Sequence, residues 1–132
     1  MARALAIVMV AALAALAGLA RAADDDKALA VFTYAADGTT PFITNQRADT
    51  VSVIALASGE TVKTLAVSDD PAGIGIDTRH RLAFVTSSKS RQLSSIDIDS
   101  LTVQNHVDAG ITPLGITVDS RSGRVYVADW DG

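Results

Sequence analysis

The sequence predicts an all-β protein, a β-propeller whose four-stranded blades this chain begins but does not complete. Three observations predict it. First, the chain repeats itself every 42 residues without a gap: Phe42-Ile43-Thr44-Asn45 falls on Phe84-Val85-Thr86-Ser87, and that falls on Tyr126-Val127-Ala128-Asp129. Pro71, Gly73, Ile74, Asp77 and Arg79 land in the same way on Pro113, Gly115, Ile116, Asp119 and Arg121. Second, each unit holds four short runs rich in Val, Ile and Thr, the composition and length of strands. Third, no segment beyond residue 22 spaces its apolar residues by three and four as a helix would. Four strands in a repeat of about 40–45 residues is the arithmetic of a propeller blade.

The first 22 residues stand apart from the repeats. Arg3 gives a positive start, Ile7 to Leu19 is apolar, and Ala20-Arg21-Ala22 is a small-x-small cleavage site. This is the pattern of a secretory signal peptide cut after Ala22, which implies a periplasmic or extracellular protein. The apolar run falls short of the roughly 20 residues a membrane-spanning helix needs. Residues 23–28 follow as an acidic tail, in which Asp24-Asp25-Asp26-Lys27 reads as a solvated segment rather than a metal site.

The repeats occupy residues 29–132. Blade one runs over about 29–70, blade two over about 71–112, and a partial blade three over about 113–132. In blade one the strands are expected before the Asp37-Gly38 turn, around Phe42-Ile43, over Val51 to Ile54, and over Thr61 to Val67. In blade two they fall at Gly73 to Ile76, at Phe84, over Leu93 to Ile98, and over Leu101 to Val107. Blade three has only Leu114 to Val118 and Val125 to Ala128. The turns between them carry Ser58-Gly59, Asp69-Asp70-Pro71, Asp77-Thr78-Arg79, Asp99-Ser100 and Ser122-Gly123. Small polar residues bond their own backbone there, and Gly takes a positive φ at little cost. Closed propellers have about four to eight blades, so two and a half blades imply a fragment of a longer chain.

The repeated tetrads resemble the Tyr-Val-Thr-Asn signature of the YVTN β-propeller repeat family. The resemblance continues through Asp49 to Ile54, Gly59 to Val62, Asp70 to Asp77 and Thr112 to Asp119. It implies a propeller fold. It also implies a secondary possibility, since propellers of this type serve as subunits or domains of periplasmic oxidoreductases with quinone or haem cofactors. Members of the family often carry a His just after the Pro of the loop joining blades. Here Ala72 and Leu114 stand in that place, so no ligand role is carried over to it.

Composition narrows the function. Cys is absent, which removes disulfides and thiolate chemistry. Setting aside Arg3 and Arg21, nine basic side chains face fifteen acidic ones, a net charge of −6. That argues against a nucleic-acid footprint, which needs a clustered basic face. His80 and His106 lie in different parts of the repeat and share no ligand spacing. Asp77 and Asp119 each precede a turn, where a carboxylate accepts backbone N–H groups. Asp97 and Asp99 alternate with Ile96 and Ile98 on the wetter face of a strand. No nucleophile motif, phosphate loop or dinucleotide fingerprint is present. The reading is therefore non-enzymatic, with no metal and no cofactor.

The loops joining one blade to the next are the candidate binding surface. They carry Asp69, Asp70 and Pro71 in one case and Thr112 and Pro113 in the other. In propellers such loops ring the axial funnel, and Pro stiffens them by fixing φ. Trp130, the only tryptophan, falls in the loop after the signature strand on the same side. It suits either a contact surface or a packed role between blades. The expected partner is a protein or small ligand at that face. The expected function is an exported binding or scaffold surface, and the alternative is an accessory part of a periplasmic oxidoreductase.

Overall fold

Ten strands form among the described residues, and they occupy the Val-, Ile- and Thr-rich runs. The computed structural model describes residues 32–34, by their backbone alone, and residues 40–132. The leader at 1–22, the acidic tail at 23–28 and the Asp37-Gly38 turn lie outside the described residues. Strands β1 (Phe32–Tyr34), β2 (Pro41–Asn45), β3 (Thr50–Ala55) and β4 (Glu60–Ala66) make one sheet in sequence order. Strands β5 (Pro71–Asp77), β6 (Leu82–Ser87), β7 (Gln92–Asp97) and β8 (Thr102–Asp108) make a second. Strands β9 (Pro113–Asp119) and β10 (Arg124–Asp129) make a third of two strands. All neighbours are antiparallel, as short connections between consecutive strands require.

The 42-residue spacing governs the pairing as well as the sequence. Phe42 pairs with Val53 and Phe84 with Ser95; Ser52 pairs with Thr64 and Ser94 with His106. The bulge between Val53 and Ile54 recurs between Ser95 and Ile96. Positive φ values recur too, at Asp49 and Arg91, at Gly59 and Leu101, and at Arg81 and Gly123. Three of these six residues are neither Gly nor Asp, so the turn geometry is kept where the residue type is not.

The three sheets stack face against face with their first strands together, β5 lying between β1 and β9. One face of the first sheet offers Phe42, Val51, Val53 and Leu65. The facing side of the second sheet offers Ile74, Ala83, Val85, Ile96 and Ile98, and these side chains form one buried core. Leu65 is the only buried residue of β4, and β8 has none, because fourth strands lie outermost. Pairing alternates the faces, so Ile116 and Val118 of β9 turn toward the second sheet while Gly115 and Thr117 turn away.

The joint between second and third sheets is closest at Gly73. A Cβ there would lie 2.2 Å from the carbonyl oxygen of Leu114, and one at Gly75 would lie 2.9 Å from a methyl of Val118. Gly73 is thus required by the backbone of β9, and Gly75 by the Val118 side chain. Blade three is exposed on its outer side, where Tyr126 is 52% exposed against 0% for its repeat mate Phe42.

Candidate functional site

Each loop that joins two blades is caught by a loop of the next sheet. Ser88 N–H donates to the carbonyl of Asp70 at 3.1 Å, and one period later Trp130 N–H donates to the carbonyl of Thr112 at 3.0 Å. The Ser88 hydroxyl also donates to the Asp70 carboxylate, and Ser90 donates to the Asp69 carbonyl at 3.4 Å. Asp70 N–H is taken by Asp49 Oδ1 at 2.8 Å. In the later joint the carboxylate of Asp129 takes Ile111 N–H at 2.8 Å and Thr112 N–H at 2.7 Å, while the Thr112 hydroxyl donates to Asp131 at 2.6 Å.

The six sequence candidates therefore fall into three pairs by burial. Pro71 and Pro113 are buried, so they brace the joint from inside and present no surface. Asp69 and Trp130 are exposed, Trp130 by 80%, and Asp70 and Thr112 are half-buried between them. Trp130 and Thr112 come together. Asp69 and Asp70 belong to the neighbouring joint. Ile111, 49% exposed and adjacent to Thr112, adds an apolar side chain that the sequence alone did not single out.

Asp129 is the residue that organises the Trp130 loop. The backbone N–H groups of Ile111 and Thr112 hold its carboxyl below the ordinary value of 3.8, against a smaller opposing effect of burial. Its position at the end of the repeated tetrad was visible in the sequence, but Asn45 and Ser87 occupy the same place, which hid its capping role.

The opposite end of the sheets is built from Asx turns. Asp77 Oδ1 accepts the N–H groups of Arg79 and His80 at 3.1 and 3.0 Å, and Oδ2 lies 2.8 Å from His80 Nδ1. Burial pushes this carboxyl up. The N–H and imidazole of His80, with that of Arg79 behind them, outweigh it and leave the group below its ordinary value. An ionised Asp77 makes His80 Nδ1 the donor. Asp119 repeats the motif with Arg121 N–H at 3.0 Å and the Ser122 hydroxyl at 2.6 Å. Asp97 caps Ser100 N–H at 2.8 Å, and Asp99 receives the Arg81 guanidinium at 2.9 and 3.1 Å.

His106 lies at the outer rim, where Ser94 Oγ and Ser68 Oγ are 2.9 and 3.2 Å from its Nδ1. Ser68 also donates to Gln92 at 2.6 Å, so this network ties the linker of blade one to the outer strands of blade two. Ser94 is fully buried, and its hydroxyl is not placed to meet a substrate. Both histidines are exposed, yet each has a partner that the sequence did not show. Among the described residues no group of three or more His, Cys, Asp or Glu is arranged to hold a metal ion.

Fold and joints together define an incomplete β-propeller. The chain is similar to hydrazine synthase of Kuenenia stuttgartiensis, with 26% identity and a TM-score of 0.69 over 74% of this chain. It is also similar to apo AztD from Citrobacter koseri, with 15% identity and a TM-score of 0.58 over 66% of this chain. A third similar structure is U3-55K, with 11% identity and a TM-score of 0.59 over 65%. The chain spans 28%, 25% and 26% of those three chains. No family model and no curated protein matches it.

Proposed function

We propose that this chain is part of an exported, non-enzymatic propeller of the YVTN type, whose blade-joining loops form a binding or scaffold surface. The observation that carries this reading is Trp130, 80% exposed on a loop whose backbone is pinned to Thr112 and whose neighbour Asp129 is held by two N–H groups. A rigid aromatic on a fixed loop offers contact area at a low ordering cost. The leader at residues 1–22 supports export, and the partner is a protein or small ligand with no nucleic-acid component. A photo-crosslinking residue placed at Trp130 in the exported protein tests this. It should capture one discrete partner, and Trp130→Ala should lose that partner without lowering the melting temperature. Two results would overturn the reading. One is retention of the protein inside the cell; the other is capture unchanged when the crosslinker moves to Ser58, exposed in the β3–β4 turn at the opposite end.

A second reading is favoured by the hydrazine synthase likeness, which at 26% identity is the strongest of the three similarities described. In that reading the chain is an accessory propeller in a periplasmic oxidoreductase. Its observable difference is the captured partner, which would be a redox enzyme subunit carrying a quinone or haem.

A further inference from the structure

The repeat separates what a turn needs from what it carries in addition. Asp77 and Asp119 are repeat mates, and each ends an inner strand with its carboxylate turned into the following turn. In blade three the Ser122 hydroxyl satisfies Asp119 Oδ2 at 2.6 Å. In blade two the same place in the repeat is held by His80, whose Nδ1 meets Asp77 Oδ2 at 2.8 Å. A serine is therefore enough to complete the turn. Imidazole adds a second nitrogen, Nε2, that the turn does not use.

Asp77 also fixes where that nitrogen goes. Its buried carboxylate takes the backbone N–H of His80 as well as the ring, so the imidazole is clamped from two sides. With Nδ1 donating to Asp77, Nε2 carries a lone pair in the neutral ring and an N–H in the charged one. The His80 side chain is 52% exposed against 3% for Asp77, so the ring is open on the side away from the carboxylate.

Cationic groups gather beside it. Arg79 Nη1 reaches across the joint to the carbonyl of Arg121 at 3.4 Å, and a Cβ at Gly123 would lie 3.4 Å from His80 Cε1. Both side chains thus lie over the 121–123 turn of the next blade. Residues 77–82 and 119–124 hold four arginines against Asp77 and Asp119, a net charge of +2 in a chain of net −4. Arg81 is paired with Asp99, but neither Arg79 nor Arg121 is in an ion pair among the described residues. One period earlier, Asp37 and Gly38 stand where Arg79 and His80 do, so this pairing of Arg and His occurs once in the chain. We propose that His80 and Arg79, seated on the 121–123 turn, form a binding site for a phosphate oxyanion. The planar guanidinium matches the phosphate oxygens. A phosphate group carries one proton or none near neutral pH, so a single proton shared with Nε2 suits either state of the ring. The site lies at the opposite end of the sheets from the Trp130 loop and goes beyond the function proposed there.

The test titrates inorganic phosphate into the nitrogen-labelled chain at constant ionic strength, and follows the ring nitrogens of both histidines and the backbone amides by NMR. His80 Nε2 and the amides of Arg121, Ser122 and Gly123 should shift saturably. His106, held by Ser94 and Ser68 at the outer rim, should stay still. His80→Ser leaves Asp77 a hydroxyl like that of Ser122, and should weaken binding at those amides about tenfold, a loss of about 1.4 kcal/mol. Arg79→Gln, at an exposed position, should weaken it by a similar factor with unchanged circular dichroism. Sodium chloride at the same ionic strength should give no saturable shift. Equal shifts with chloride would overturn the proposal. So would phosphate binding that keeps its full strength in Arg79→Gln, or a His106 ring that moves as far as that of His80.

Discussion

The Thr86 hydroxyl donates to the backbone carbonyl of Leu114 at 2.7 Å. The same hydroxyl oxygen accepts Gly73 N–H at 2.9 Å, so one side chain ties together the inner strands of blades two and three. Thr86 is fully buried. Thr86→Val keeps the shape but leaves a buried donor and acceptor unpaired, at a cost of about 1–3 kcal/mol. Thr86→Ser should recover most of that. Urea denaturation of the three proteins checks it, and equal stability of the Val variant would show that the hydroxyl does not hold the joint.

Gly73 and Gly115 are repeat mates with different neighbours. A methyl at Gly73 meets the Leu114 carbonyl at 2.2 Å, whereas at Gly115 it meets only Ala128 Cβ at 3.4 Å. Gly73→Ala should force β9 away and cost about 2–4 kcal/mol, in the range of severe core substitutions. Gly115→Ala should stay within about 0.5 kcal/mol of the parent. Equal melting temperatures for the two variants would contradict the packing.

Ile74 and Ile116 look equivalent in sequence, and the repeat alone predicts similar damage from Asp at either. The structure predicts otherwise, because Ile74 is buried between two sheets and Ile116 is half-buried in the terminal one. Ile74→Asp should cost more than about 4 kcal/mol and prevent folding, since it strands a charge in the core. Ile116→Asp should leave a folded protein with a lowered midpoint. A soluble, cooperative Ile74→Asp variant would be the contrary result.

Asp77 sets part of the acid limit. Its folded pKa lies below 3.8, so the stability it contributes is fully present above 3.8 and is lost as pH falls through the lower folded value. Asp97, Asp119 and Asp129 are shifted the same way, each chiefly by hydrogen bonds from turn residues. Asp77→Asn should therefore shallow the fall in unfolding free energy below about pH 4 without removing it. Denaturation midpoints measured between pH 2 and 6 decide this; an unchanged slope would mean that Asp77 does not titrate with folding.

The sequence by itself determined the period, the strand runs and the roles of the turn carboxylates, because these follow from local chemistry repeated at a fixed spacing. A Val-Ile-Thr run favours a strand wherever it stands, and an Asp before a turn finds the N–H groups two and three residues on. What the sequence left unread depended on neighbours. Leu101 takes a φ of 51° where its repeat mate is Gly59, because the surrounding strands impose the turn on whatever residue stands there. Burial likewise separates residues that the repeat makes equal: Leu65 from Val107, Phe42 from Tyr126, Ile74 from Ile116. The sequence reading set Pro71 and Pro113 in the joining loops, whereas they open β5 and β9, and only the stacking of sheets shows that they are buried while Trp130 is exposed. A strand's inward face is written in its own alternation, but whether another sheet covers that face is a property of the assembled fold.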